Sequence, residues 1–300
     1  MRRMYRTSLI GLMLVLAMIS AACGDSDAGD TTTTAVAEAT TTTVAPFDLS
    51  AAVNDYLSTI PEGFLAIGDV DVFKDGVEAS GALVIDVRET GEYEEGHIPG
   101  AVNIPIRTLG ANLDKIPTDR QVYVYCKSGF RAAEALSSLG MLGYDNVLSY
   151  KPGWNGWTEA AQEVSLEAVE AEVVGAPDIE PELVAAVNGF LSTIPEGFLS
   201  AGAPDAVQEA KDAGALLLDV RTAGEYEKGN IEGSLHIDLR ELVPGIDGVS
   251  TSSNVITYCG SGHRSAMAVA ALHVLGADNV KAYGGSYTSL VDAGLPVVTP

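Results

Sequence analysis

Positive charge is scarce in this sequence. Its 300 residues hold 17 Lys and Arg against 41 Asp and Glu, a net charge of −24. So acidic a chain is not expected to bind nucleic acid or an anionic membrane surface, and its charge describes a solvated exterior. Cysteine is scarcer still, with three residues, and histidine has four. No Cys or His stands at metal-ligand spacing around His97, so neither a metal nor another cofactor is expected. A long apolar run is also missing: Leu9 to Ile19 is unbroken but too short to span a bilayer, which takes ~20 residues. What is present is 47% hydrophobic residues, enough for a sizeable core, in a length that suits about two domains.

Arg2, Arg3 and Arg6 precede the apolar run, and Ser20-Ala21-Ala22 follow it ahead of Cys23. This is the grammar of an export signal with a small-residue cleavage site. The small-small-Cys ending resembles the lipobox of bacterial lipoproteins, in which the cysteine is lipidated and becomes the new N-terminus. Ser20 stands where that pattern usually has Leu. Residues 1–22 are therefore expected to be a signal peptide and Cys23 a lipidation site, with plain secretion as the alternative. Residues 23–46 are Thr-rich and show no apolar periodicity, as expected of a disordered tether. The protein is then extracytoplasmic and touches the cell membrane through its lipid alone.

The rest of the sequence is written twice. AAVNDYLSTIPEGFLAI at 51–67 returns as AAVNGFLSTIPEGFLSA at 185–201, and LVIDVRETGEYEEGHI at 83–98 as LLLDVRTAGEYEKGNI at 216–231. The expected organisation is one domain at 47–173, a linker at 174–181 and a second domain at 182–300. Each copy opens with a helical segment. Short apolar runs follow (LVIDV and LLLDV, QVYVYC and NVITYC, NVLSY and NVKAY) that are too short for helices and read as buried parallel strands. Helices start at RAAEALSSLG and RSAMAVAALHVLG, with Gly140 and Gly276 as expected stops. Strands alternating with helices predict an α/β fold, a parallel sheet with helices on both faces in each copy. Active loops of such sheets lie beyond the carboxyl ends of the strands.

Two of the three cysteines fall there, in YCKSGFR and YCGSGHR, at Cys126 and Cys259. A strand delivers the sulfur to the sheet edge and the chain turns at once into a helix. Glycine in the turn allows close backbone approach. Helix-start amides and Arg131 or Arg264 then favour an anion at the sulfur. An ordinary thiol, with pKa ~8.5, is a few per cent thiolate at neutral pH, and such surroundings raise that share. Salt screens exposed charge beyond ~8 Å, so the local loop outweighs the acidic remainder. An inert buried cysteine and a Cys126–Cys259 disulfide are the competing readings. The disulfide would join two equivalent loops and block both.

DVRETGEYEEGHIPGAVNIP at 86–105, together with YCKSGFRA, resembles the rhodanese (sulfurtransferase) family, and the likeness covers nearly all of 47–300 as two tandem domains. The resemblance implies that cysteine takes sulfane sulfur from a small anionic donor such as thiosulfate, holds it as a persulfide and passes it to cyanide or a thiol. Cys126 and Cys259 are then the nucleophiles. Lys127, Ser128, Gly129, Phe130 and Arg131 form one cradle, and Gly260, Ser261, Gly262, His263 and Arg264 the other. Asp86 and Arg88, with Asp219 and Arg221, match positions that brace the loop, and Glu92 and Glu225 are expected in the same network. His97 reads as a structural hydrogen-bonding residue, and Trp154 and Trp157 as packing. The second copy departs from the pattern at Asn230, Glu232 and Asp238, which replace His97, Pro99 and Pro105. His263 replaces Phe130, and is expected either to bring charge or a proton to the sulfur or to be an exposed loop side chain. A persulfide carrier or sensing module at the cell surface is the alternative function. Phosphatases sharing this fold are further off. They carry five or more residues between Cys and Arg, against four in KSGF and GSGH, and the smaller cradle suits a sulfur atom.

Overall fold

The computed structural model describes residues 46–249 and 254–300. The expected signal segment, Cys23 and the Thr-rich stretch up to residue 45 lie outside the described residues. Among the described residues no helix is long and apolar enough to cross a membrane.

The first copy runs α1 (Leu49–Thr59), β1 (Ala66–Ile67), α2 (Val70–Ser80), β2 (Leu83–Asp86), α3 (Thr90–Glu94), β3 (Val102–Asn103), β4 (Val122–Tyr125), α4 (Phe130–Met141), β5 (Val147–Tyr150) and α5 (Gly153–Glu159). Its sheet is parallel throughout, in the order β1-β5-β4-β2-β3. The second copy runs α6 (Pro181–Thr193), α7 (Pro204–Asp212), β6 (Leu216–Asp219), α8 (Ala223–Tyr226), β7 (Asn230–Ile231), β8 (Leu235–His236), β9 (Val255–Tyr258), α9 (His263–Val274), β10 (Val280–Ala282), α10 (Tyr287–Asp292) and β11 (Val297–Val298). Its parallel order is β10-β9-β6-β8, and β11 pairs antiparallel with β7.

Side chains alternate across a strand, so each strand feeds two faces. Val84, Tyr123 and Tyr125 pack with Phe73 of α2 and Trp157 of α5 on one face. Ile85, Val122 and Val124 point the other way, toward α1 and α4. The second sheet divides likewise, with Leu217, Ile256 and Tyr258 against α7 and α10. Both faces of both sheets are therefore covered by helices, as the repeating strand–helix pattern predicts.

The inner faces of the two copies belong to one continuous core. The α4 and α9 helices pack on each other, and both are rich in buried alanine, with Ala132, Ala133 and Ala135 on one and Ala266, Ala268 and Ala270 on the other. Such small residues let two helix backbones approach. Each lead-in helix also crosses over: α1 packs on a 3-10 turn at Leu239–Glu241, and α6 on one at Ile106–Ala111. A Cβ at Gly110 would sit 3.0 Å from the Asn188 Cβ, so glycine is what lets α6 come so close.

Residues 174–180, which carry no helix or strand, join the two copies, and the amides of Val174 and Gly175 both donate to the Asp114 carbonyl, at 2.8 and 2.9 Å. One expectation changes. Gly140 does not end its helix. It lies within α4 against the Tyr56 ring, where a Cβ would meet Cε2 at 2.0 Å, and Gly143, with φ +88°, follows the helix as Gly276 follows α9.

Candidate active site

Every residue of β4 and β9 is buried, which fixes where the following cysteine goes. Cys126 and Cys259 are both buried free thiols, so neither disulfide nor surface display describes them. The turn after each is dictated by a glycine at the N-cap of the next helix. Gly129 has φ +88° and Gly262 φ +83°. A Cβ on them would lie 2.2 Å from the Lys151 carbonyl oxygen and 2.1 Å from that of Gly284, so no other residue fits. The loop carbonyls are held as well: Cys126 O accepts from Trp154 N at 2.8 Å, Lys127 O from Asn155 N at 3.0 Å, and Cys259 O from Tyr287 N at 2.8 Å. Lys127, Ser128, Gly260 and Ser261 are exposed.

Arg131 makes a two-pronged pair with Glu92, at 2.6 and 2.8 Å, and Arg264 one with Glu225, at 2.5 and 2.7 Å. Burial works against the Arg131 cation, but the Glu92 hydrogen bond and the charge of Cys126 outweigh it and hold the guanidinium pKa above its ordinary value. Arg264 behaves alike beside Glu225 and Cys259. In return the guanidinium of Arg131 draws Glu92 down, and that of Arg264 draws Glu225 down to about 2. A permanent cation therefore stands beside each sulfur.

Glu92 and Glu225 thus belong with the loop arginines, not with the Asp-x-Arg pairs as expected. Asp86 and Arg88 are buried and bind each other, Oδ2 to Nη2 at 2.6 Å, while Arg88 Nη2 also donates to Gly96 O at 2.7 Å. Asp219 and Arg221 repeat this with Gly229. These pairs brace the turn after α3 and α8 directly. They reach the cysteine loop through a stacked aromatic: Trp154 lies 4.7 Å from the Arg88 guanidinium carbon, Tyr287 3.9 Å from that of Arg221, and the same two residues hold the cysteine carbonyls. Trp154 therefore does more than pack, whereas Trp157 is buried and donates to Glu163 O at 2.7 Å. His97 is structural as expected, bonded to the carbonyls of Tyr93 and Glu167 at 2.9 and 3.0 Å. Asn230 takes its place, with a longer contact to Tyr226 O at 3.5 Å.

His263 departs from both expectations. It is neither exposed nor charged: its Nε2–H donates to the Phe64 carbonyl of the first copy at 3.0 Å, and its Nδ1 is buried with no partner. Burial pushes its pKa down to about 4, with Lys151 and Arg264 acting in the same sense. Phe130, its counterpart, lies against Gly284, whose Cβ would stand 3.1 Å from the ring. Sequence reasoning also missed Phe198 and Phe64. The Phe198 ring lies under Arg131 at 4.5 Å and Phe64 under Arg264 at 4.6 Å, each across the boundary between copies. The signal was the unchanged IPEGFL of both copies, which a helical lead-in does not need.

A cleft of about 590 Å³ opens at Cys126, between Lys127, Ser128 and Arg131 of the first copy and Phe198, Ser200 and Gly284 of the second. A thiol beside a fixed cation at the mouth of such a cleft can attack a small anionic electrophile. Among the described residues no group of three or more His, Cys, Asp or Glu is arranged around a metal.

The comparisons agree with this geometry. The chain is 41% identical over 76 residues to the uncharacterized protein YqhL of Bacillus subtilis, covering 25% of this chain and 60% of that one. It is 36% identical over 75 residues to a sulfurtransferase of Allochromatium vinosum, covering 25% and 70%. Against thiosulfate sulfurtransferase GlpE of Shewanella oneidensis it is 31% identical over 83 residues, covering 28% and 82%. The chain spans about half, 52%, of another curated relative. The family model of the rhodanese-like domain matches residues 69–160 and again 203–293, each time enclosing one braced cysteine loop. The chain therefore belongs to the rhodanese-like family, with two domains of that kind in tandem.

Proposed function

We propose that this protein is an exported sulfurtransferase that carries sulfane sulfur on Cys126 and Cys259. The observation that supports it most is the buried free thiol set beside an arginine whose charge is locked by a carboxylate, at the mouth of an open cleft. Sulfur transfer in general is the business that relatives named as sulfurtransferases share. The finer reading takes thiosulfate as donor. The Cys126 thiolate attacks the outer sulfur, a new S–S bond forms, the S–S bond of thiosulfate breaks, and sulfite leaves with the electron pair. A thiolate or cyanide acceptor then attacks the terminal sulfur of the persulfide, and Cys126 departs as the thiolate. Arg131 holds the anion, and exposed Lys127 draws the donor in.

Intact-mass measurement after thiosulfate treatment tests this on the wild type and on Cys126→Ser, Cys259→Ser and the double variant. The wild type should gain up to two sulfur atoms, each single variant one, and the double variant none. Sulfur on the double variant would overturn the assignment. Loading without steady-state thiocyanate formation from cyanide would turn the reading to a carrier. Export and anchoring rest on residues 1–23 of the sequence, and unchanged processing and membrane association in Cys23→Ser would refute the lipid anchor while leaving export standing.

A further inference from the structure

Each copy sends one strained loop into the site of the other. Phe64, Leu65, Phe198 and Leu199 all have positive φ, between 53° and 59°, and among the described non-glycine residues only Ala161 joins them. Bulky side chains seldom adopt that region unless the surroundings impose it. Here the strained turn ends in a phenylalanine ring on a foreign arginine. Phe198 lies between Arg131, at 4.5 Å, and Arg107, at 4.6 Å. Phe64 lies between Arg264, at 4.6 Å, and Arg240, at 5.6 Å.

The loops are latched from the receiving side. Arg107 donates from Nε to Ile194 O at 2.7 Å and from Nη2 to Pro195 O at 2.9 Å, and pairs with Glu89. In the other direction His263 holds Phe64 O at 3.0 Å. The mouth of the Cys126 cleft is built in part from Gly197, Phe198, Ser200 and Gly202, all from the second copy.

We infer that Phe198 is a positioning residue for the Cys126 site and Phe64 one for the Cys259 site, so that each cysteine is set by the other copy. This rests on the sulfur-transfer reading for its role in catalysis, though not for its geometry. The ring lies over the guanidinium carbon, 4.5 Å away, while Nη1 and Nη2 along its edge meet the Glu92 carboxylate. The ring keeps water from that face and holds the cation in the orientation in which it stands beside sulfur. Attraction between a cation and a ring face is stronger when both are desolvated.

The test uses the chain with Cys23→Ser throughout and one cysteine left at a time, Cys259→Ser to read Cys126 and Cys126→Ser to read Cys259. Thiosulfate loading is followed by intact mass from pH 6 to 9, and alkylation by iodoacetamide in parallel. Phe198→Ala should slow Cys126 by about three- to thirtyfold at pH 7, the range from an exposed to a desolvated cation–ring contact. It should also move the Cys126 pH profile to higher pH and leave Cys259 within twofold. Phe64→Ala should do the reverse. Phe198→Tyr keeps a ring face and should restore most of the Cys126 rate. Phe198→Leu keeps apolar volume without a ring, and should be slowed if folded. Wild-type rates in a folded Phe198→Leu protein would overturn the role of the ring. Equal slowing of both cysteines by either Phe→Ala substitution would overturn the crossed dependence. Failure of the sulfur-transfer reading looks different: the wild type would not load from thiosulfate, while alkylation would still show the crossed pattern.

Discussion

Glu134 offers a substitution whose sign follows from the structure. It lies one turn before Ser137 on α4, and Ser137 Oγ donates to Met267 O of α9 at 3.2 Å. The Glu134 side chain is fully buried, and neither carboxylate oxygen has a hydrogen-bond partner. Burial pushes its pKa well above 4.5, against the opposing pull of Arg131 and Arg107. The equivalent position in the second copy is Met267, equally buried. An unpartnered buried polar group costs ~1–3 kcal/mol. Glu134→Met removes that cost with little change in size. At about 2–4 °C per kcal/mol for a unit of this size, Tm should rise by roughly 2–12 °C at pH 7.5. The native state holds a proton on Glu134 that the unfolded chain has released between pH 4.5 and the raised native value, so this residue makes stability fall as pH rises through that window. The variant should lose that slope. Thermal unfolding followed by circular dichroism from pH 4.5 to 8 reads both effects, with Glu134→Gln as the uncharged polar control. A Glu134→Met protein that melts at or below the wild type at pH 7.5, or keeps the slope, would refute the reasoning.

His263 acts in the opposite sense. With its native pKa at about 4 and an unfolded value near 6.5, the unfolded state binds the extra proton, so stability falls as pH drops through that window, by up to ~3 kcal/mol. Urea unfolding of His263→Phe should therefore show a shallower loss between pH 7 and 4 than the wild type, and parallel curves would contradict it. Gly129→Ala would drive a Cβ into the Lys151 carbonyl at φ +88°, and Gly262→Ala one into Gly284 at φ +83°. Each should abolish sulfur loading at its own cysteine by intact mass, and loading at the wild-type rate would show that the turn does not set the site.

The sequence carried the site better than it carried the assembly. Strand-end cysteines, a glycine turn and an arginine in the first helical turn are local, and local patterns repeat with fixed spacing. The strands were legible because β4 and β9 are buried on both faces and so read as unbroken apolar runs. The exchange between copies was not legible. It depends on which face α1 and α6 present, and an amphipathic stripe does not say whose core it will enter. The carboxylate partners were misassigned for a related reason. Asp86 ends β2 and Arg88 follows two residues later, whereas Arg131 meets Glu92 only after β4 and β2 pair in parallel. Gly140 misled because glycine marks close approach as well as a helix end.

The two largest departures of the second cysteine site from the first answer one structural problem. In the first copy Arg107 reaches across and holds the turn that carries Phe198. Its counterpart Arg240 turns Nε and Nη2 instead to Asp238, at 3.1 and 2.9 Å, and Asp238 stands where the first copy has Pro105. An acid at that position captures the arginine, because a carboxylate two residues away competes with any neutral carbonyl. The turn carrying Phe64 would then lack its latch. His263, in place of Phe130, supplies one from the loop itself, to the Phe64 carbonyl. A neutral imidazole suits that task, since one N–H suffices and a second cation against Arg264 would repel it. The histidine that the sequence offers as a charge for the sulfur is on this argument a replacement for an arginine diverted elsewhere.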